Sequence, residues 1–454
     1  MINNLKLIVK VLVFIGKPAW LFLIFKNRYF IMDKRTFIKS SLVAIAGASI
    51  APLSFAQKKP LDLPLNVKMD VTPISIAERQ QRLAKAQRLM AQENIVAIVL
   101  EPGAAMMYFT GISWWRSERL TAVVIPKEGD IEIVCPFFEE PSIRESLNLP
   151  AKLSVWQEHE SPFSLVQKIL KEKGLHKGQI GFESTVRYFV LDNIMSLLPD
   201  ARHISADAVT QGCRMMKSNH ELTLMHKANE VTLKSYEHVF SQLQLGMTQK
   251  DVKQLMNKTQ STIGGSDAWC LALFNEASAF PHGSKKEQII KEGSVVLMDS
   301  GCSVHGYQSD ISRTFVFGSA TKKQRDIWNT VNKGQKIAFE QAKVGVTAGS
   351  VDDKVRAYYQ TLGFGPEYKL PGLSHRTGHG IGMEGHESVN FVHGEKQVLQ
   401  KGMCFSNEPG IYIPGEFGVR LEDCLYLGEK KAHWFTEPPT SLDEPLGKLA
   451  KLIL

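Results

Sequence analysis

Acidic residues interrupt apolar, strand-like segments at several places in the second half of this 454-residue chain. Asp299 ends the apolar run 295–298, and Asp310 follows eleven residues later at the end of a return segment. Glu408 and Glu422 also stand within apolar, strand-like stretches. A carboxylate in such a place is costly unless a proton, a partner or a cation neutralises it. The fold therefore has to supply neutralising partners at these positions.

The segment 295–310 predicts a β-hairpin that lays the two aspartates side by side. A single Asp at a strand end is usually a turn former, but two that converge, with no Lys between them, need a cation or a proton between them. A run dense in imidazole and glycine follows at residues 375–387, and imidazole ligates metals or moves protons. Four carboxylates and one histidine fit a hydrolytic site in which hard oxygen ligands bridge two divalent ions.

The chain divides into two patterns of predicted secondary structure. In the first, a helix at residues 75–93 is followed by apolar runs that alternate with helical stretches, which is typical of an α/β domain. The strands of this part are predicted at residues 95–100, 120–126, 131–136 and 179–182. The second pattern is α+β, with helices predicted at about 218–243, 248–263, 321–344 and 351–362 between β-rich sections. We expect an N-terminal domain at residues 74–210 and a catalytic domain at 211–454.

The basic charge of the chain is concentrated at its N-terminus. The net charge is +8, but residues 1–56 hold eight Lys and Arg against one Asp, so a nucleic-acid partner is not indicated. After Met32, a charged start, an apolar run and the small residues Ser54 and Ala56 are typical of a signal peptide cleaved after Ala56. We expect a leader at residues 1–56, with translation starting at Met1 or Met32, and a polar tether at 57–73.

The leader predicts an exported protein, periplasmic or secreted. Residues 34–39 resemble a twin-arginine export signal with Lys in place of the first Arg, so the route stays open. The first apolar stretch, 11–25, is interrupted by Lys17 and Pro18 and is a poor membrane span. A leader retained as a membrane anchor is the alternative, and the chain would then contact the membrane only through it.

The six cysteines give no sign of a metal site or a disulfide framework. They form no CxxC pair and no short-spaced set, so neither a zinc–thiolate site nor a disulfide-rich scaffold is indicated. We expect most of them to be small buried hydrophobes, with one disulfide left open. They are Cys135, Cys213, Cys270, Cys302, Cys404 and Cys424.

The motifs of the second half resemble those of the creatinase, prolidase and aminopeptidase P family of pita-bread metallopeptidases. The likeness covers nearly all of the chain after the leader, and the segment 214–218 is similar to the one that opens the family's catalytic domain. In the family, motifs of the forms DxG, GYxSDxTRT, HxxxHGIG, EPG and RxED carry the metal ligands. The resemblance places these ligands at Asp299, Asp310, His379, Glu408 and Glu422.

The resemblance also implies roles for residues around the ligands. His282 resembles the family's substrate-facing histidine, and His386 resembles the histidine that helps to stabilise the tetrahedral intermediate. His375 resembles the histidine that lines the leaving-group side. Arg420 either anchors a substrate carboxylate or pairs with a ligand Glu. Glu408 would accept the proton of the attacking water and return it to the leaving nitrogen.

These roles predict an exported dinuclear metallopeptidase that cleaves Xaa-Pro bonds through a metal-bridged hydroxide. The choice between dipeptides and the N-termini of longer peptides stays open. The expected cofactors are two divalent ions, with manganese first and cobalt, iron or zinc as alternatives. The resemblance also implies a homodimer and a proline-containing peptide substrate. The alternatives are a metal-dependent C–N hydrolase or lyase on the same fold, and a pita-bread binding protein without catalysis.

Overall fold

The computed structural model describes residues 21–25, 28–32, 67–147 and 149–454. Near the N-terminus, strands β1 (Leu21–Phe25) and β2 (Arg28–Met32) pair antiparallel. The predicted signal run, its cleavage point and most of the tether lie outside the described residues. Among the helices of the described part, none combines the length and apolar character that a membrane span requires.

The helices and strands between residues 76 and 214 form an α/β domain around a six-stranded mixed sheet. Its strands are β3 (Ile95–Leu100), β4 (Ala122–Pro126), β5 (Glu132–Pro136), β6 (Lys152–Trp156), β7 (Gly178–Phe182) and β8 (Ala201–Ser205). They lie in the order β6-β5-β4-β3-β7-β8. Only β4 runs antiparallel to both of its neighbours among these six strands, while the other adjacent pairs are parallel.

Helices cover this sheet, and the first of them begins where the sequence predicts. The Ser75 hydroxyl accepts from the Glu78 backbone N–H, and the Glu78 carboxylate accepts from the Ser75 backbone, which together form a capping box. The helices are α1 (Ile76–Gln92), α2 (Ala104–Thr110), α3 (Glu140–Ser146), α4 (Pro162–Glu172), α5 (Tyr188–Ser196) and α6 (Asp207–Arg214). Helix α6 runs across the predicted domain boundary at residues 210 and 211, which stays a prediction.

The second half is built on two antiparallel sheets and four further helices. The first sheet contains β9 (Ser266–Phe274), β10 (Ser294–Val304), β11 (Tyr307–Gln308) and β12 (Ile311–Phe317), and β10 lies between β9 and β12. The second sheet contains β13 (Gly378–Gly380), β14 (Glu387–Phe391), β15 (Cys404–Asn407), β18 (Asp423–Leu427) and β19 (Ala432–Trp434), in the order β14-β13-β15-β18-β19. Two separate two-stranded sheets complete this half. They pair β16 (Gly410–Ile413) with β17 (Phe417–Arg420), and β20 (Thr436–Glu437) with β21 (Lys448–Leu449).

Each sheet is covered by a pair of helices on the side away from the acids. Helices α7 (Asn219–Gln242) and α8 (Gln249–Thr262) pack on the first sheet, where Tyr236 and Met256 share a core with Met298. Helices α9 (Lys322–Gln341) and α10 (Ala348–Thr361) pack on the second sheet around Trp328. Successive side chains of a strand point to opposite faces, so Asp299, next to Met298, points away from the helices.

The two sheets meet where residues 312 and 422 pair. The backbone N–H of Ser312 donates to the Glu422 carbonyl at 3.3 Å, and the N–H of Glu422 donates to the Ser312 carbonyl at 3.1 Å. This bridge holds the start of β12 beside the start of β18. The predicted ligands on both sheets are thereby brought to one place.

The cysteines match the expectation for structural residues. All six are buried and unpaired. Burial raises the pKa of Cys135 and of Cys404 to about 12, which keeps both as unreactive thiols.

Candidate active site

The five predicted ligands stand on both sheets, mostly at strand ends. Asp299 lies within β10 and Asp310 immediately precedes β12. His379 is the middle residue of β13, Glu408 immediately follows β15, and Glu422 immediately precedes β18. Because these strand ends meet where the two sheets are bridged, side chains far apart in sequence are brought together.

Three of the carboxylates lie around the Nε2 nitrogen of His379. The Nε2 atom of His379 is 3.4 Å from Glu408 Oε1, 3.7 Å from Asp310 Oδ2 and 3.9 Å from Glu422 Oε1. Asp310, His379 and Glu422 each offer a ligand atom, and these atoms lie within 4.8 Å of one another. All three residues are buried. The spacing is that of donors around a cation.

The hydrogen bond on the far side of the His379 ring fixes which nitrogen faces the acids. Nδ1 lies 3.0 Å from the Gly380 carbonyl oxygen, which can only accept, so Nδ1 carries the proton. Burial, and next the neighbouring His386, holds the pKa of His379 well below its usual range. Nε2 is therefore a bare acceptor that faces carboxylate oxygens, an arrangement that a metal ion stabilises.

Several oxygen atoms of the cluster are buried without a partner. Within the described residues, no hydrogen-bond donor reaches Oδ1 of Asp299, Oδ1 of Asp310 or Oε1 of Glu422. Burial and then neighbouring carboxylates raise the pKa values of Asp310 and Glu422 well above the usual range. Burial also raises the pKa of Glu408 to about 7, although Arg420 opposes the rise. Buried polar atoms are nearly always satisfied, so these oxygens point to a cation between them.

The residues present fit a metal site by both donor type and geometry. Carboxylate oxygens with one imidazole are the donors that divalent ions such as manganese take. Asp310, His379, Glu408 and Glu422 can hold one ion, and the unpartnered oxygen of Asp299 is available to a second.

Arg420 is held by the protein rather than left free for a substrate. Its Nη2 atom donates to Asp299 Oδ2 at 2.7 Å, and Nε donates to the Ser312 hydroxyl at 3.0 Å. Nη1 donates to the Pro281 carbonyl at 3.2 Å and to the Tyr412 hydroxyl at 3.3 Å. The sequence offered a ligand Glu as its ion-pair partner; the structure corrects this to Asp299, because β17 runs beside β10.

The cluster opens into a cleft of about 1080 Å³ that contains the predicted histidines. His282 and His386 both line it, and the ring centroid of His386 lies 4.2 Å from that of His379. His375 also lines it, with Nε2 2.7 Å from the Tyr412 hydroxyl. Burial lowers the pKa of His375 to about 3, so this ring is neutral. The structure thus brings every predicted site residue to one cleft.

Sequence reasoning assigned no role to Arg376, which also lines the cleft. Its guanidinium makes no hydrogen bond or ion pair with any residue that the structure describes, in contrast to Arg420. It lies next to His375 in the histidine-rich run, and that position was the available signal. Whether its side chain faces the cleft depends on the backbone path before β13, which the sequence does not reveal.

A second missed feature is the group of charges under the loop that carries His386. Glu387 Oε1 lies 2.5 Å from Arg214 Nη2, and Glu387 Oε2 lies 2.9 Å from Lys217 Nζ. Arg214 also contacts Glu384 at 2.6 Å. Arg214 and Lys217 belong to the segment 214–218, which resembles the start of the family's catalytic domain. Their acidic partners lie about 170 residues later in the chain.

Known proteins match both halves of the chain. Residues 223–429 match Metallopeptidase family M24, and residues 82–216 match the Creatinase/Prolidase N-terminal domain. The Probable dipeptidase PepE of Mycobacterium bovis is 31% identical over 356 residues, covering 78% of this chain and 92% of that protein. The Xaa-Pro dipeptidase of Pyrococcus furiosus is 29% identical over 368 residues, covering 80% and 99%. A crystal structure of prolidase from Thermococcus sibiricus has a TM-score of 0.73 at 26% identity, covering 78% and 96%.

These matches confirm the resemblance read from the motifs and the predicted fold class. They place a creatinase-like α/β domain before an α+β pita-bread domain. They also confirm that the chain is an enzyme of the metallopeptidase class. The chain belongs to metallopeptidase family M24.

Proposed function

We propose that the protein hydrolyses the bond between a residue and a following proline, with two divalent ions, manganese first among them, held by the five ligands. The observation that carries this proposal is the convergence of Asp310, His379, Glu408 and Glu422, with buried oxygens that lack partners. The relatives add support, because several carry the names Xaa-Pro dipeptidase or prolidase.

The side chains around the ligands suit the steps of such a hydrolysis. Divalent ions bound here would lower the pKa of a bound water and polarise the scissile carbonyl. Glu408, whose carboxylate lines the cleft, would accept the water's proton and deliver it to the leaving imino nitrogen. His282 and His386 would donate hydrogen bonds to the developing oxyanion. His375 would lie along the proline side.

Arg376 favours a dipeptidase over an aminopeptidase. A dipeptide carries a free carboxylate one residue beyond the scissile bond, whereas a longer peptide has an amide there. The unengaged guanidinium of Arg376 lines the same cleft as the ligand cluster, and Arg pairs well with carboxylates. Arg420 is already engaged by Asp299. We therefore assign the substrate carboxylate to Arg376, with Arg420 as an indirect support through Asp299.

The test is a panel of Leu-Pro, Leu-Pro amide, Leu-Pro-Gly and Leu-Ala, assayed with manganese, cobalt, iron and zinc. We expect wild-type protein to cleave Leu-Pro best and to leave Leu-Ala intact. Arg376→Gln should raise KM for Leu-Pro about tenfold or more, as loss of a charged hydrogen bond predicts, with little change for Leu-Pro amide. Cleavage of the tripeptide but not the dipeptide would reverse the preference for a dipeptidase.

Metal analysis separates the proposal from its alternatives. Protein purified without added ions should carry about two divalent metals per chain, and none would support a binding protein instead. A metal-loaded protein that cleaves no peptide in the panel would support a C–N hydrolase or lyase on the same fold.

Export and dimerisation are further proposals, supported by the leader sequence and by the family likeness. Cell fractionation followed by N-terminal sequencing tests the first, and a mature chain that begins at Gln57 is expected. A membrane-bound chain that retains residues 1–56 would indicate an anchor. Sedimentation of the mature protein tests the second, and a dimer is expected.

A further inference from the structure

The cleft has chemically different ends. At one end, near Pro281, which follows β9 in the chain, Arg420 and His375 both contact the Tyr412 hydroxyl, and Arg376 is the residue after His375. At the other end, toward the start of β9, the lining residues are Asp267 and Trp269, and Gln308 lies beside them because Ser303 pairs with both Gln308 and Ser266. A peptide bound with its carboxylate at the basic end directs its first residue toward the acidic end. This inference rests on the proposed function and concerns which first residue the enzyme prefers.

The pairing of β9 with β10 sets the order of the residues along the acidic end. Leu271 is opposite Asp299, and Trp269 is opposite Gly301. Asp267 therefore lies four residues from Leu271, which is about 13 Å along a strand. The α-amino group of a substrate stays near the scissile bond and the ligand cluster. Only a long side chain of the first residue reaches from there toward Asp267.

The carboxylate of Asp267 is exposed and held in place by one hydrogen bond. Its Oδ2 atom accepts a hydrogen bond from the Ser303 hydroxyl at 2.8 Å, which orients the group. It forms no ion pair with any Lys, Arg or His in residues 67–147 and 149–454. Its backbone has a φ of 50°, and the β9–β10 ladder is irregular between Gly301 and Ser303. Such irregularities re-aim side chains beside active sites.

Trp269 supplies an apolar surface between the ligand cluster and Asp267. A Cβ atom at Gly301 would lie 2.9 Å from the indole Nε1, so glycine lets the ring lie against β10. An indole face attracts both the methylene groups and the cation of a Lys or Arg side chain. The order along the cleft is then ligand cluster, aromatic ring and carboxylate.

We propose that Trp269 and Asp267 form a subsite for a Lys or Arg side chain on the residue before the scissile bond. The methylene groups pack against the indole, and the terminal cation pairs with the free oxygen of Asp267. A norleucine side chain has the same methylene groups without the charge, so it fills the aromatic part of the subsite only. A Glu side chain is repelled.

The test compares Lys-Pro, norleucine-Pro and Glu-Pro on the metal-loaded enzyme. Wild-type protein should give the highest kcat/KM for Lys-Pro and the lowest for Glu-Pro. Asp267→Asn should lower kcat/KM for Lys-Pro about fivefold, the size of a partly exposed ion pair, and leave norleucine-Pro within about twofold on the same basis. Trp269→Leu should lower both. Glu128→Gln, an exposed acid of the N-terminal domain, serves as the control and should change neither.

Equal effects of Asp267→Asn on Lys-Pro and norleucine-Pro would overturn the subsite while leaving the peptidase proposal intact. The same holds if wild-type protein shows no preference between these two substrates. If wild-type protein cleaves no proline dipeptide at all, the peptidase proposal fails and the subsite fails with it.

Discussion

Two groups of buried acids in the catalytic domain are neutralised in different ways. In the ligand cluster, Asp310 and Glu422 face each other and His379, and oxygen atoms of both acids lack a donor among the described residues. Under the His386 loop, Glu387 is equally enclosed, with 6% of its side chain exposed, but Arg214 and Lys217 contact both of its oxygens. Burial alone would raise its pKa, yet these two charges lower the pKa of Glu387 to about 2.

Adjacent residues 422 and 423 show the same contrast within one segment. Asp423 is fully buried, and Arg313, Gln335 and Thr436 donate to its oxygens. Glu422 accepts from the Ser312 hydroxyl through Oε2, whereas its Oε1 faces the other acids. The Asp423 carboxylate therefore lies among scaffold side chains, whereas the carboxylate of the preceding residue, Glu422, lies in the ligand cluster.

The difference teaches that burial of an acid does not by itself mark a functional site. Glu387 and Asp423 are buried because basic side chains of the same chain balance them, which is a scaffold role. The ligand cluster has only the Arg420–Asp299 pair to balance four carboxylates among the described residues. The ligand cluster therefore needs a cation from outside the chain, whereas Glu387 and Asp423 do not.

The largest expected effect comes from removing one ligand. Asp310→Ala should bring turnover below detection and leave almost no bound metal, because the buried donor set is then incomplete. The fold should persist, since Asp310 forms no ion pair with a Lys or Arg of the described residues. Activity, metal content and circular dichroism are the measurements, with the exposed Asp326→Ala as a control. An active Asp310→Ala enzyme would refute the ligand assignment.

The next effect separates the two adjacent acids by stability in the metal-free state. With a chelator present, Glu422→Gln should unfold at the same or a higher urea concentration than wild type, because it relieves carboxylate repulsion. Asp423→Asn should lower the free energy of unfolding by about 3–5 kcal/mol, because it leaves Arg313 buried without its partner. Similar losses in both variants would mean that Glu422 is also a scaffold residue.

Much of this architecture is accessible from the sequence, because its central elements carry strong patterns. The apolar runs that form β3 and β4 and the long helices α7 to α9 were predicted close to their bounds, whereas β10 continues to Val304, five residues past the predicted end at Asp299. Two strands were missed, Lys152–Trp156 and Ala201–Ser205. Both lie at the edges of the six-stranded sheet and are partly exposed, so they lack the apolar run that marks a central strand.

The candidate site was predictable to a similar degree and for a related reason. Its five ligands stand in motifs that a sequence displays directly. Partners such as Asp299 for Arg420, or Glu387 for Arg214, join residues more than a hundred positions apart. A local sequence pattern carries no information on such pairs. The roles proposed for Arg376 and Trp269 also depend on contacts between residues that are far apart in the sequence.

The pH dependence of the free energy of unfolding should distinguish Glu387, which is buried beside two basic side chains, from the more exposed Glu384. Because the folded-state pKa of Glu387 is lowered from 4.5 to about 2, its stabilisation is complete above pH 4.5 and is lost as the pH falls toward 2. The shift corresponds to roughly 3 kcal/mol. Glu387→Gln should be less stable than wild type by about this amount at pH 7, and the gap should begin to close below pH 4.5.

Urea denaturation with a chelator, between pH 7 and pH 3.5, measures this gap without interference from metal loss. Glu384→Gln is the matched control, since Glu384 also contacts Arg214 but 45% of its side chain is exposed. Its effect should be smaller, because solvent screens an exposed pair. If the difference in unfolding free energy between Glu387→Gln and wild type does not change with pH, the charge of Glu387 does not stabilise the fold.

The smallest effect is expected where an acid is paired but exposed. Glu416, in the turn between β16 and β17, lies 2.6 Å from Lys323 Nζ, with 45% and 54% of the two side chains exposed. Glu416→Gln should change the free energy of unfolding by less than about 1 kcal/mol, because water already solvates both charges. Adding salt should erase even that difference, whereas the loss in Asp423→Asn should persist. A loss at Glu416 as large as that at Asp423 would show that proximity to a cation, and not burial with one, determines what an acid contributes to this fold.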